Sequence, residues 1–142
     1  MDLRDLIKRH EGVRLRAYRD TAGVWTIGYG HTCGVAAGLT CTIDQAEAWL
    51  DDDLDQAAGD LRACLSEQAW NGLNPARRAA LVDMIFNIGK VRFADFHLML
   101  GAIEARNWAV AKDEMLSSKW ASQVGRRAEE DAEMVSTGNW TT

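Results

Sequence analysis

The spacing of hydrophobic residues changes at Gly12. Before it, apolar positions recur every three or four residues, which predicts a helix over 2–11. After it, residues 13–20 alternate between apolar and polar, and Val24–Tyr29 is rich in β-branched and aromatic residues. These segments predict a β-hairpin, with a short third strand near Leu39–Cys41.

The chain after residue 42 follows helical spacing instead. Thr42 and Gln45 form a capping-box pattern that starts a helix running to about Leu65. Asn74 and Pro75 start a second helix, apolar almost all round and predicted to end at Gly89. Residues 66–73 are a loop or a short helix, and further helices are predicted near 93–105, 107–118, 119–124 and 126–136.

These elements predict a mostly helical α+β fold with one small sheet near the N-terminus. The length of 142 residues suits a single domain, which we expect to be two-lobed. The predicted small lobe is about 13–60, the large lobe is 1–12 plus 61–142, and the helix 42–65 joins them.

The charge balance narrows the range of partners. A net charge of -5 argues against nucleic acid and against an anionic membrane surface. The N-terminus lacks the apolar core of a signal peptide and no stretch is long enough to span a bilayer, so we expect the product to stay where it is made until another agent releases it. Metal-ligand spacing is absent, and Cys33 and Cys41 are equally compatible with a disulfide or with two thiols.

Glu11 and Asp20 flank the change from helix to hairpin. Glu11 ends the predicted helix, where the helix macrodipole disfavours a negative charge on its carboxyl group. A general acid must keep its proton until it donates it, so this position suits that role. Asp20 falls in the predicted turn. Each has a plain alternative, a solvent-exposed carboxylate for Glu11 and a turn-forming residue for Asp20, and Thr26 can be an ordinary strand residue. Two acids in unlike environments are nevertheless what glycosidic bond cleavage requires.

His31 follows the predicted return strand and has two interpretations. It can act as a base or ligand, or it can be a structural residue, which is the commoner case. Asp53 on the long helix is its expected partner, and such a pair would tie the sheet to that helix. Of six tryptophans, Trp25 and Trp70 are the better candidates for sugar stacking.

The motif Glu11-Gly…Tyr18-x-Asp20…Trp25-Thr-Ile-Gly-Tyr-Gly-His31-Thr closely resembles the phage-type lysozymes, the endolysins of the T4 lysozyme family (glycoside hydrolase family 24). The likeness continues in family order through nearly the whole chain, with Ala76-Arg-Arg, Met84-Ile-Phe-Asn-Ile-Gly89, Lys119-Trp, Arg127-Ala and Thr137-Gly-Asn-Trp140.

The resemblance implies a muramidase that cleaves the β-1,4 bond between N-acetylmuramic acid and N-acetylglucosamine, with inversion. The family's catalytic residues fall on Glu11, Asp20 and Thr26. Arg127 matches an arginine that lies against the catalytic glutamate. His31 and Asp53 match a structural pair, and the family's substrate-binding positions fall on Phe86, Asn87 and Gln123.

The resemblance also implies a lysozyme-like arrangement of the two lobes, and it implies where the protein acts and with which partners. No cofactor or metal is expected, the protein is expected to be a monomer, and its partner is the peptidoglycan glycan strand. It would remain in the host cytoplasm until a holin releases it to the periplasm and cell wall, where it would lyse the host and free the phage. Two rivals stay open: a lytic transglycosylase, and a non-catalytic glycan-binding or virion structural module.

Overall fold

The computed structural model describes residues 1–141, so Thr142, the end of the predicted large lobe, lies outside the described residues. The mostly helical α+β fold predicted from the sequence is confirmed. The elements in chain order are α1 Leu3–Glu11, β1 Arg14–Arg19, β2 Trp25–Gly28, α2 Ile43–Cys64, α3 Glu67–Gly72, α4 Pro75–Ala94, α5 His97–Glu104, α6 Trp108–Leu116, α7 Lys119–Val124 and α8 Arg126–Thr137.

The chain divides into two compact units, and the boundary falls inside α2. The first unit is Asp2–Gln56 and the second begins at Ala57. The first unit contains α1, which the sequence-based boundaries assign to the large lobe. Its attachment has a plain cause, because Lys8 Nζ donates to Glu47 Oε1 of α2 at 2.7 Å and Arg4 pairs with the same carboxylate.

The caps and turns of the first unit are formed by residues close together in the sequence. Asp2 and Asp5 cap α1 reciprocally, and Gly12 takes a φ of 66° as the chain leaves the helix. β1 and β2 pair antiparallel, with Tyr18 opposite Thr26. The predicted third strand is reduced to one bridge, Arg16 with Thr40, so the sheet has two strands within residues 1–141.

Gly28 sets how closely the sheet approaches α2. Its φ is 66°, and a Cβ there would stand 3.2 Å from the Cβ of Ala46. Glycine is therefore required both by the backbone conformation and by the space. The approach buries Ile27 of β2 and Leu50 of α2 in the core of this unit.

The second unit is a bundle in which α4 packs against α8, and α6 packs against α5 and α8. Residues 79–85 of α4 are all buried, as the all-round apolar sequence of this helix predicts. Gly89 interrupts the helical geometry (φ 81°, ψ 162°), so the regular helix that starts at Pro75 breaks where the sequence predicts, and a second helical stretch follows it to Ala94. The helix predicted at 93–105 is wrong in its start, because the chain turns at Asp95 and Phe96 and α5 begins at His97.

The structure also answers two further questions, on the cysteines and on Trp70. The three cysteines are free thiols. Trp70 lies in the short helix α3 rather than in a loop, with the guanidinium carbon of Arg78 4.1 Å from its ring centroid. Across residues 1–141 no helix combines the length and the apolar character that crossing a bilayer demands.

Candidate active site

Glu11 is the last residue of α1, and the helix behind it is firmly held. Leu6 and Ile7 are fully buried, and the Asp2 cap fixes the other end. Gly12 then turns the chain sharply away. Glu11 is half-buried at the end of this helix.

Asp20 occupies the hairpin turn, and its own side chain builds that turn. Oδ1 accepts hydrogen bonds from the backbone N–H groups of Ala22 at 2.9 Å and Val24 at 2.8 Å. The turn closes with Gly23 N–H donating to the Asp20 carbonyl at 3.0 Å. Within residues 1–141 no hydrogen bond reaches Oδ2, so one oxygen positions the carboxylate and the other is available to a ligand.

Thr26 lies on β2 and is 4 % exposed. Its hydroxyl donates to the carbonyl of Val24 at 2.9 Å. Because the single hydroxyl proton is committed to that bond, the free lone pairs of Oγ1 can only accept from a partner. Thr26 is thus an oriented acceptor close to the turn that holds Asp20.

Tyr18 lies opposite Thr26 across the hairpin, and the pKa of its phenol is raised. Burial and the negative charge of Glu11 raise the pKa of Tyr18, and Asp20 adds to the increase while Arg14 opposes it. The phenol is therefore within electrostatic reach of both acids. Glu11, Asp20 and Thr26 all belong to the first unit, and Thr26 is the strand partner of this tyrosine.

His31 is held by three contacts of different kinds. Its Nδ1 lies 2.8 Å from Asp53 Oδ2, and its ring stacks on Trp49 with centroids 4.7 Å apart and planes 5° apart. Its backbone exchanges two hydrogen bonds of 2.9 Å with Ile27. All three contacts are internal to the first unit, and they join the sheet to α2.

The remaining predicted site residues lie in the second unit. Asn87 Oδ1 accepts from the indole N–H of Trp120 at 2.8 Å, which fixes its amide. Gln123 is exposed and accepts from Arg92 at 3.4 Å, and Phe86 is half-buried.

Arg127 belongs to the second unit and forms a two-pronged pair with Asp83. Its Nη2 donates to Oδ1 at 2.8 Å and its Nε donates to Oδ2 at 3.1 Å. Asp83 is fully buried. The role assigned to Arg127 against Glu11 stays a prediction.

Comparison with known protein families gives a match over most of the chain. The Phage lysozyme family model matches residues 8–130 of this chain. The chain belongs to the phage lysozyme family.

Individual relatives agree with this assignment. The chain is 37% identical to an endolysin of Acyrthosiphon pisum secondary endosymbiont phage 1, over 86% of this chain and 80% of the relative. It is 36% identical to the endolysin of Salmonella phage P22, over 82% of this chain and 80% of that protein. It is 28% identical to the protein named "Probable T4-type lysozyme 1" of Dictyostelium discoideum, over 96% and 94% of the two chains.

Three polar residues of this phage lysozyme family member escaped the sequence-based assignment of roles. Tyr18 appears in the motif without a function, although it lies two residues before Asp20 on an alternating strand. Asp83 and Asp131 are both fully buried. For Asp83 the available signal was an acidic residue inside the apolar helical segment of α4, which indicates a buried partner but does not identify it, whereas Asp131 lies among other charged residues of α8 and gave no such signal.

Proposed function

We propose that this chain is an endolysin muramidase that hydrolyses the β-1,4 bond between N-acetylmuramic acid and N-acetylglucosamine in bacterial peptidoglycan. The single observation that carries the proposal is the state of Asp20. Its Oδ1 is held by two backbone N–H groups of the turn, and no hydrogen bond from residues 1–141 reaches its Oδ2. A carboxylate fixed in this way is suited to take a proton from a water molecule.

In the proposed reaction Glu11 is the general acid. It protonates the glycosidic oxygen as the bond from that oxygen to the anomeric carbon breaks. Its place at the end of a capped, well-packed helix supports this role, because a general acid must be held at a fixed distance from the leaving group. The sugar then carries positive charge that neighbouring carboxylates stabilise.

Water completes the proposed reaction from the opposite face. Its oxygen bonds to the anomeric carbon, while one proton passes to Asp20 Oδ2 and the other is hydrogen-bonded to Thr26 Oγ1. Thr26 suits this task because its own proton is already donated to Val24, leaving only acceptor sites. The product has inverted configuration, which calls for carboxyl groups about 6.5–9.5 Å apart.

The same proposal covers the biological setting. Made in the host cytoplasm, the protein is released by a holin, acts as a monomer on the cell wall, and frees the phage by lysis. The endolysins of two phages among the relatives support this setting. The reaction uses acid–base chemistry alone and so requires no cofactor.

The test is digestion of purified peptidoglycan sacculi followed by mass spectrometry of the fragments. Hydrolysis adds one water to each cleaved bond and leaves a reducing N-acetylmuramic acid end. A lytic transglycosylase adds no water and leaves an anhydro end, and a binding module releases no fragments. Either of these outcomes would refute the proposal.

The matched variant is Glu11→Gln, with Glu67→Gln as its control. Glu67 is exposed on α3, in the second unit. We expect Glu11→Gln to melt like the wild type and to lose at least about a hundredfold in rate, while Glu67→Gln keeps full activity. Normal lysis of permeabilised cells by Glu11→Gln would contradict the assignment.

A further inference from the structure

We propose that the hydroxyl of Tyr18 contacts the sugar bound between Glu11 and Asp20, and that Arg14 holds the Tyr18 ring in place. This inference rests on the function proposed above and adds to it a substrate-contacting residue. It starts from the geometry of the hairpin.

Strand pairing directs Tyr18 toward the reacting groups. Tyr18 and Thr26 are direct partners across β1 and β2. Opposite residues of an antiparallel pair project from the same face, with Cβ atoms about 4.5–5.5 Å apart. Asp20 follows two residues later, which is the same-face interval of an extended chain. Tyr18 therefore shares its face with the proposed acceptor Thr26 and precedes the proposed base.

The charges around the phenol are consistent with this placement. Burial raises the pKa of Tyr18, and the negative charges of Glu11 and Asp20 raise it further, while Arg14 opposes them. The phenol is therefore neutral at the pH values where the enzyme would work. A neutral phenol is a hydrogen-bond donor, whereas a phenolate would repel the carboxylates.

The Tyr18 hydroxyl has no acceptor in the protein. Within residues 1–141 no side chain or backbone group hydrogen-bonds to it, although the ring is half-buried. The other tyrosine behaves differently, because Tyr29 donates its hydroxyl to Glu47 Oε1 at 3.3 Å. A half-buried donor beside two acids and without a partner suits the hydroxyl or acetamido oxygen of a sugar.

Arg14 supplies the support for the ring. Its guanidinium carbon lies 4.3 Å from the centroid of the Tyr18 ring, which is cation–π distance. Arg14 sits four residues earlier on β1 and pairs through its backbone with Gly28. The stack fixes the tilt of the ring, so the direction of the hydroxyl is set before substrate arrives.

The first experiment compares Tyr18→Phe with Tyr29→Phe, two changes that each remove a single hydroxyl. Binding of a purified glycan-strand oligomer is measured by calorimetry in a Glu11→Gln background, and kcat and KM are measured separately in the active enzyme. We expect Tyr18→Phe to weaken oligomer binding and kcat/KM by about tenfold, the usual size of one hydrogen bond to a ligand. We expect Tyr29→Phe to match its parent, and both to melt within a few degrees of it.

The second experiment compares Arg14→Leu with Arg16→Leu, since both arginines are exposed on the same strand. We expect Arg14→Leu to weaken oligomer binding by about threefold, as loss of an exposed cation–π contact implies, and Arg16→Leu to have no effect.

The outcomes separate this inference from the function on which it rests. If the wild type cleaves sacculi and Tyr18→Phe binds the oligomer as tightly as Tyr29→Phe does, the role of Tyr18 is overturned and the proposed function stands. If the wild type releases no fragments, the proposed function fails and this inference fails with it.

Discussion

The two units of the molecule each remove carboxyl groups from water, and they compensate the charge in different ways. In the first unit Asp53 faces His31, and the two side chains are 27% and 10% exposed. In the second unit Asp83 is wholly buried against Arg127, and a second buried acid, Asp131, lies beside it. In the first arrangement a carboxylate faces a histidine, whereas in the second a carboxylate pairs with a guanidinium and has another buried acid beside it.

The presence of two buried carboxyl groups side by side affects the protonation of Asp131. Burial is the main cause that raises the pKa of Asp131 well above its ordinary value, and the neighbouring Asp83 raises it further, with Arg127 opposing. No donor among residues 1–141 reaches either oxygen of Asp131. Two adjacent buried carboxyl groups can hydrogen-bond only through a shared proton, so Asp131 keeps its proton while Asp83 remains the partner of Arg127.

The largest effect is expected from Arg127→Met, which removes the guanidinium that pairs with the buried carboxylate of Asp83. Breaking such a pair costs about 3–5 kcal/mol of unfolding free energy. The measurement is urea unfolding at neutral pH. The control is Lys112→Met, because Lys112 pairs with the half-exposed Glu133 at 2.7 Å and its loss should cost at most about 1 kcal/mol.

A second variant identifies the cause of that loss. Adding Asp83→Asn to Arg127→Met removes the buried carboxylate that has lost its guanidinium, so the double variant should recover part of the lost stability. If the double variant is less stable than Arg127→Met alone, lost packing rather than unbalanced charge is responsible.

A smaller effect is expected in the first unit from His31→Asn. The change removes the contact with Asp53 and the stack on Trp49, and we expect a loss of about 2 kcal/mol, with activity kept by the folded fraction. The loss is smaller than for Arg127→Met because Asp53 is partly exposed and water can solvate it. A melting curve identical to that of the wild type would show that His31 has no structural role.

The first unit was the more predictable one because its signals are local. The change of hydrophobic period at Gly12, the Asp2 cap and the Asp20 turn each lie within a few residues of the structure they specify. The third strand was predicted at the right place, because Thr40 bridges Arg16 of β1 and two backbone hydrogen bonds of 2.8 and 2.9 Å flank that bridge. It is only one bridge long, and the residue pattern does not encode that length.

The helices of the second unit could be predicted from the sequence, but the contact between Asp83 and Arg127 could not. The acidic residue in α4 was visible in the sequence, yet its partner Arg127 lies 44 residues away, and spacing within a helix carries no information about that contact. The turn at Asp95 was missed for a related reason. It contains neither glycine nor proline, so the apolar pattern seemed to run through it.

The smallest effect at low pH, and the most specific one, is expected from Asp131→Asn. A carboxyl whose pKa is raised in the folded state contributes stability below its unfolded pKa of about 3.9 and loses that contribution as pH rises toward the folded value. The amide cannot ionise and so escapes this loss. At pH 5 the variant should therefore lie within about 1 kcal/mol of the wild type, and its relative stability should increase at pH 6, 7 and 8.

The control for this pH series is Asp113→Asn, on the exposed face of α6, where no pH-dependent difference from the wild type is expected. Urea midpoints at each pH supply the measurement. If the wild type instead gains on Asp131→Asn as pH rises, Asp131 is ionised in the folded protein. The second unit would then hold two adjacent buried carboxylates beside Arg127, and the contrast with the His31–Asp53 pair would have to be explained without a retained proton.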